Sequence, residues 1–327
     1  MYHGSKVLDV HGHISTPPEY FHFGALQLAG NGPTGKLNIP DERLEQAQQR
    51  HLKELDARSV DVQLIGPRPF ASFQWARPHI QHAWAKATND VTAQIVRLHP
   101  DRFLGMAMLP QSSEQDTSAV LPELNRCVTE LGFVGAYVNP DPSARSNTPG
   151  LHESYWTPLY ERAQLLNIPL MIHPTAILDP RVEVLNANYQ IANVIEEYIA
   201  TQLLTRTDIF DRFADLKVVV CHCGGSLDRW IKTDPHMGQK DLSRNLFFDT
   251  CAHDEAFLEA AFRQRGVDQM LFGTEVPGSG GAARPETGKP ADDLVPVIDK
   301  ISFLSEEDKL KVFNKNPAKV FPLMAKV

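Results

Sequence analysis

The sequence predicts an α/β protein of the (β/α)8 barrel class, and three observations carry that prediction. Eight short apolar, β-branched runs recur along the chain. Longer amphipathic stretches separate them, and eight is the number of parallel strands that closes a cylinder. No Gly-x-Gly-x-x-Gly follows the first run, which argues against an open, doubly wound sheet built around a dinucleotide. The strand runs are Val7–His11, Val60–Gly66, Phe103–Leu109, Phe133–Asn139, Pro169–His173, Lys217–His222, Leu246–Thr250 and Met270–Thr274. The helical patterns between them are Asp41–Arg58, His79–Leu98, Thr117–Leu131, Glu153–Leu166, Tyr189–Phe213 and Glu255–Arg265.

Two segments exceed ordinary loop length. Ile14–Pro40 is rich in glycine and proline and follows the first strand; Pro277–Asp292 follows the last and carries Gly278, Gly280, Gly281 and Arg284. Long stretches without regular structure are usually functional or disordered, and both leave the C-terminal end of a strand, the face where such barrels do chemistry. Ser302–Val327 reads as a helical pair packed on the outside, its second member starting at Asn316-Pro317. With no internal repeat or linker, residues 1–327 are expected to form a single barrel domain with a loop insertion at 14–40 and a C-terminal helical tail at 302–327.

Composition narrows the function. Hydrophobic residues make up 42% and charged residues 22% of the 327, a globular balance that excludes disorder, collagen-like repeats and rods. Lys and Arg number 32 against 40 Asp and Glu, a net charge of −8, so the chain has no global electrostatic reason to bind nucleic acid or an anionic membrane. There is no run of about 18 apolar residues to span a bilayer and no signal pattern at Met1–Val10. Four cysteines in so long a chain make no disulfide framework. These features together predict a cytoplasmic protein.

The chemistry gathers at the strand ends. His11-Gly12-His13 closes the first strand, and residues two apart on an extended segment share a face, so both imidazoles reach one ion. His173 ends the fifth strand, His222 the sixth, and Glu275 follows the eighth. Any one of these alone reads as an ordinary hydrogen-bonded residue. Four histidines and one acid at four strand ends read as a metal centre, with Zn²⁺ expected and Mn²⁺ or Fe²⁺ served by the same ligand types. Cys221-His222-Cys223 looks like a metal motif, but on a strand both thiols face away from His222, so Cys221 is assigned to barrel packing. Cys127 is assigned to structure. The other nine histidines are read as surface or core residues, with both readings open for His253.

The strand-end set, together with Leu109-Pro110-Gln111-Ser112, Arg126–Phe133, Asn139-Pro140-Asp141-Pro142, Phe247-Phe248-Asp249-Thr250-Cys251 and Phe272-Gly273-Thr274-Glu275, resembles the amidohydrolase superfamily. Within it the chain is similar to the 2-amino-3-carboxymuconate-semialdehyde decarboxylase-like branch, and most of all to that branch's 4-oxalomesaconate hydratase group. The resemblance covers essentially the whole chain. It implies the metal-dependent hydrolase barrel, with His11, His13, His173 and Glu275 as metal ligands and His222 with Glu275 as the acid–base pair. It also implies small polycarboxylate or aromatic acid substrates. Arg68 after the second strand is the leading carboxylate clamp. Asn139, Tyr189, Cys251 and Arg284 are further substrate-binding candidates, Arg229 is a weaker one, and Phe70, Phe73 and Trp75 either wall the pocket or pack the loop.

The expected function is a metal-dependent hydro-lyase adding water to an unsaturated oxo-polycarboxylate of aromatic catabolism. The alternative is a non-oxidative decarboxylase using the same site. Decarboxylases of the branch carry Asp where this chain has Glu275, which favours the hydratase. An ester or lactone hydrolase comes third, and a metal-bound barrel without catalysis is opposed by the intact ligand set. Family resemblance further implies a homo-oligomer, with Glu196–Arg206 and Glu306–Phe313 as candidate interfaces. The loops after the His173 and His222 strands, and Gly278–Arg284, depart from the hydratase pattern.

Overall fold

A computed structural model describes residues 1–31, 36–182, 184–185, 188–229 and 240–327, with the side chains at 31, 188 and 189 outside the description. The eight predicted runs form eight strands: β1 Leu8–His13, β2 Val62–Gly66, β3 Phe103–Met108, β4 Gly135–Val138, β5 Leu170–Ile172, β6 Val218–Val220, β7 Leu246–Asp249 and β8 Met270–Leu271. They lie in sequence order, each parallel to the next. The seam between β8 and β1 is spanned by Val10 N–H to the Phe272 carbonyl at 2.9 Å and Glu275 N–H to the His11 carbonyl at 2.7 Å. The result is a (β/α)8 barrel.

Alternation along the strands sorts the core into two layers. Leu8, Val10, Val62, Leu64, Met106, Met171, Val219, Cys221, Phe247 and Leu271 cluster inside the cylinder. Val7, Ile65, Phe103, Ile172, Val218, Val220, Phe248 and Phe272 face outward beneath the helices. Those helices are α1 Pro18–Leu26, α2 Asp41–Ala57, α3 Pro78–Leu98, α4 Leu121–Thr129, α5 Thr157–Leu166, α6 Asn188–Arg206, α7 Ile209–Arg212, α8 Glu255–Arg265, α9 Val295–Asp299, α10 Glu306–Leu310 and α11 Asn316–Val320. Their termini follow local chemistry. Proline occupies the first turn of α3, Asn167 closes α5 in the left-handed region, and the Asp254 carboxylate accepts from Phe257 N–H to cap α8. The buried face of α3 runs through Trp84, Thr88, Val91, Thr92 and Ile95, the spacing of a single apolar stripe.

Two expectations need correction. The 14–40 segment is not structureless: it contains α1, whose Tyr20 packs on Trp84 at 4.6 Å between ring centroids and shares a 3.0 Å hydrogen bond with Thr88. Its flanking prolines and glycines hid a nine-residue helix. The C-terminal segment forms the expected pair, α10 passing through a wide turn at Lys311–Lys315 into α11, which starts at Asn316. It does not pack only outside, however. Val320, Phe321 and Met324 join the interior cluster, beside the N-terminal ends of the strands, where Asn316 Nδ2 donates to the Met270 carbonyl. No helix among the described residues is long and apolar enough to cross a membrane. All four cysteines are free and buried.

One buried side chain ties α3 to the active end of β3. Asn89 accepts from Met108 N–H at 2.8 Å and donates to the Met108 carbonyl at 3.0 Å. Asn89→Ala leaves both backbone groups buried without these partners, so denaturant unfolding should read a loss of about 2–4 kcal/mol. A change below half a kilocalorie would show that this tie contributes little.

Candidate active site

The strand ends deliver their side chains by small departures from regular alternation. Leu8 and Val10 point into the barrel, and Asp9 lies against Gln63 on the outward side. A continuing strand would turn His11 outward as well. The pairing register between β1 and β2 shifts between Asp9 and Gly12, and this irregularity re-aims His11 and His13 into the mouth. His173 needs no such device, because β5 alternates Ile172 out and His173 in. Past β6, with Cys221 inside, His222 would face outward. Its left-handed backbone, φ +49°, swings it over the mouth instead. Glu275 likewise has φ +62°. Both are uncommon for residues other than glycine, and such strain concentrates at functional sites.

The four imidazoles form one cluster, with ring centroids 5.1 Å apart for His11–His173 and His173–His222 and 5.3 Å for His11–His13. Glu275 Oε1 stands 3.7 Å from His13 Nε2, 3.9 Å from His173 Nε2 and 3.7 Å from His222 Nε2. These separations are too long for hydrogen bonds but suit ligands sharing one central ion. The donor atoms of His11, His13, His173 and Glu275 all lie within 4.8 Å of one another.

Tautomers make the fit to a cation specific. His11 Nδ1 is 2.7 Å from Asp249 Oδ2, and His173 Nδ1 is 2.8 Å from the Pro174 carbonyl. Both partners are acceptors, so each Nδ1 carries the proton and each Nε2 presents a bare lone pair. Both Nε2 atoms are buried with no hydrogen-bond partner among the described residues. Ligating histidines are oriented this way by a carboxylate or backbone carbonyl behind them. Gly273 makes room for the arrangement, since a Cβ there would press within 3.1 Å of the Cβ atoms of His11 and Asp249. His222 Nδ1 is backed by Glu197 Oε1 at 2.7 Å.

Electrostatics agree. Burial pulls His13 down to about 4 and His173 well below the ordinary imidazole range, which keeps both neutral and ligand-competent. Burial pushes Glu275 up, but His13 and His222 outweigh it and hold the carboxyl well below its usual value. Burial opposes charge on His222, yet Glu197 and Cys251 beside it lift its pKa well above normal.

A cavity of about 250 Å³ opens over this cluster, lined by His13, Arg68, His173, Thr175, Asn193, Glu275 and Ser279 among others. Arg68 is half-buried, its guanidinium makes no hydrogen bond or ion pair to any described residue, and burial lowers its pKa. The other substrate-binding candidates are placed differently. Asn139 is turned to the protein, donating to Thr175 Oγ1 at 3.1 Å, and so holds a lining residue rather than lining the cavity. Arg284 lies in a separate cleft, where it donates to the Ala291 carbonyl and pairs with Glu255 at 3.6 Å. Cys251 is buried 4.0 Å from Glu275 Oε2. The side chain of Tyr189 lies outside the described residues. Phe70 lines the cavity, whereas Phe73 stacks on Trp84 at 5.0 Å.

Sequence reasoning missed Asp249, Glu197, Asn193 and Ser279. Asp249 had a signal: it is an acid at an interior position two residues past Phe247, at a strand end. Glu197 and Asn193 come from α6 rather than a strand end, and nothing in the helix pattern marks them. Ser279, whose hydroxyl donates to Glu275 Oε2 at 2.8 Å, is one polar residue in a glycine-rich loop.

Comparison with known proteins gives a consistent picture. A family model described as amidohydrolase matches residues 8–323. The chain is 30% identical to 2-keto-4-carboxy-3-hexenedioate hydratase from Sphingobium sp. strain SYK-6, over 97% of this chain and 96% of that protein. Among solved structures it resembles 4-oxalomesaconate hydratase from Rhodopseudomonas palustris, with a TM-score of 0.86 and 29% identity over 97% of this chain and 95% of that one. It also shares its fold with a dihydroxybenzoic acid decarboxylase from Polaromonas sp. JS666 that contains manganese and 2-nitroresorcinol. There the TM-score is 0.69 and the identity 23%, over 98% of this chain and 97% of that one.

Asp249→Asn replaces the acceptor behind His11 with a side chain able to donate to Nδ1, which moves the imidazole proton to Nε2. Metal affinity should fall about 10–100-fold in competition with a chromogenic chelator. Unchanged affinity would mean that Asp249 does not set the His11 tautomer.

Proposed function

This chain belongs to the amidohydrolase family, and from that premise we propose that it is a metal-dependent hydratase adding water to an unsaturated oxo-polycarboxylate of aromatic catabolism. The observation that carries this reading is the pairing of two features in one cavity: a set of bare, buried imidazole nitrogens around Glu275, and an unpaired guanidinium at Arg68. The full-length similarity to a hydratase supports the choice of reaction.

His11, His13, His173 and Glu275 would hold the ion. We infer Zn²⁺, with Mn²⁺ or Fe²⁺ accommodated by the same nitrogen and oxygen donors. When bound, the ion supplies Lewis acidity toward a carbonyl oxygen and lowers the pKa of water. The protein's own groups supply the rest. Arg68 binds a substrate carboxylate in a two-pronged contact. Glu275, its Oε2 held by Ser279, is placed to take a proton from water as oxygen adds to one carbon of the double bond. His222 donates its Nε2 proton to the other carbon, with Glu197 fixing the ring from behind. Asn139 acts indirectly, by orienting Thr175 toward the substrate.

The second reading keeps the site and changes the reaction to loss of CO₂ from an aromatic or muconate-type acid, with His222 protonating the carbon. The similar fold of a decarboxylase favours it; the glutamate at 275 favours hydration. Turnover of 4-oxalomesaconate, followed by loss of its conjugated absorbance, tests the first reading. Inertness there with CO₂ release from a dihydroxybenzoate would establish the second.

The residue roles predict two separable losses. His173→Ala should lose bound metal and activity together. His222→Ala should keep its metal by elemental analysis while turnover falls about 10²–10⁴-fold. Full turnover in the latter would remove His222 from the acid–base role.

We also infer a homo-oligomer. Val194, Ile195 and Ile199 present apolar surface on α6, whereas Val312 and Phe313 of the other candidate segment are buried in this chain's own core. The interface is therefore assigned to α6, and light scattering on Ile199→Glu should read a smaller assembly than on the parent.

A further inference from the structure

We propose that a second divalent cation binds between Cys251, His253 and Glu275, beside the ion assigned to His11, His13 and His173; the proposal rests on that first assignment. Beyond β7, Cys251 and His253 repeat the one-residue spacing of His11 and His13 at the end of another strand. The Cys251 Sγ, a His253 ring nitrogen and a Glu275 carboxylate oxygen lie within 4.8 Å of one another. Donors around a tetrahedral ion with bonds of about 2.0–2.3 Å stand about 3.3–3.8 Å apart, so closure needs about 1 Å of side-chain movement.

The two oxygens of Glu275 point to different partners. Oε1 faces the imidazole cluster at 3.7–3.9 Å, and Oε2 faces Cys251 Sγ at 4.0 Å. A carboxylate so disposed is suited to bridge the about 3.5–4 Å between the ions of a two-metal site, and while the second cation is bound Oε2 is withdrawn from its role as base. His253 Nδ1 is buried and has no hydrogen-bond partner among the described residues, a desolvated donor atom that a cation would satisfy. The loop above leaves space for this ring. A Cβ on Gly280 would fall 2.6 Å from His253 Cε1 and 2.9 Å from Nε2, so any larger residue would displace it.

The donor set also fixes the class of ion. A thiolate, an imidazole and a carboxylate are softer than the three imidazoles and one carboxylate of the first site, and select Zn²⁺, Co²⁺ or Cd²⁺ over Mn²⁺ or Mg²⁺. On binding, Cys251 releases its thiol proton to solvent and the Sγ lone pair forms the new bond. The second cation adds positive charge on the Glu275 side of the cavity, where a polycarboxylate substrate has a further anionic group to place.

Titration of the chelator-stripped protein with Co²⁺ tests this, reading both total cobalt retained per chain and the near-ultraviolet thiolate-to-cobalt charge-transfer band. Two equivalents are expected, with the band rising with one of them. Cys251→Ser and His253→Gln should each retain one equivalent and lack the band. Saturation at one equivalent without a band overturns the second site and leaves the first standing; no bound cobalt overturns both. A band that survives either substitution overturns the assignment of that ligand.

Discussion

A buried carboxylate, Asp9, receives hydrogen bonds from His11 N–H at 2.9 Å, Gln63 Nε2 at 2.8 Å, Thr274 N–H at 3.1 Å and the Thr274 hydroxyl. These donors come from β1, β2 and the segment after β8, so one side chain fastens the seam that closes the cylinder. Two residues on from Asp9 stands His11, and next to Thr274 stands Glu275. Burial pushes the Asp9 carboxyl up to about 6, and the hydrogen bonds from Thr274, His11 and Gln63 pull the other way. Without this staple, the register shift that re-aims His11 and the left-handed turn at Glu275 lose the one side chain that ties them together.

A second constraint follows from the first. The mouth gathers buried nitrogen atoms that have no hydrogen-bond partner among the described residues, at His11, His13 and His173. Uncompensated polar burial of this kind is unfavourable to folding and is tolerated where function requires it. The acceptors Asp249, Glu197 and the Pro174 carbonyl lock the rings of His11, His222 and His173 so that the vacant lone pairs, or the remaining proton of His222, face the cavity. The interior beneath is apolar and closely packed, so the polar layer rests on Val10, Met171, Val219 and Phe247 as a rigid floor.

Much of this was legible in the sequence because period-two alternation and strand-end position are local properties. The strands fall within the predicted runs to a residue or two at each end, apart from β1, which continues two residues further to His13, and β8, which ends three residues before the predicted Thr274. The histidines and Glu275 were found because chemistry in such barrels clusters at one strand terminus. What stayed hidden depends on tertiary contact. Glu197 and Asn193 reach the site from a helix whose pattern reads as ordinary, and Arg284 is drawn from the cavity by Glu255 and the Ala291 carbonyl. The interior role of Val320, Phe321 and Met324 was equally invisible, since an apolar tail reads the same whether it covers a surface or fills a core. The argument that His222 faces away from its flanking thiols assumed a regular strand, and the backbone leaves that conformation at His222 itself.

That tail bears on how the molecule is made. The cylinder needs β1 at Leu8–His13, β8 at Met270–Leu271, and an apolar stopper formed by Val320, Phe321 and Met324. A ribosome has therefore passed position 320 before the inner core can be completed. Until then, strands made earlier carry uncovered hydrogen-bonding edges, the state in which nascent chains most need chaperones.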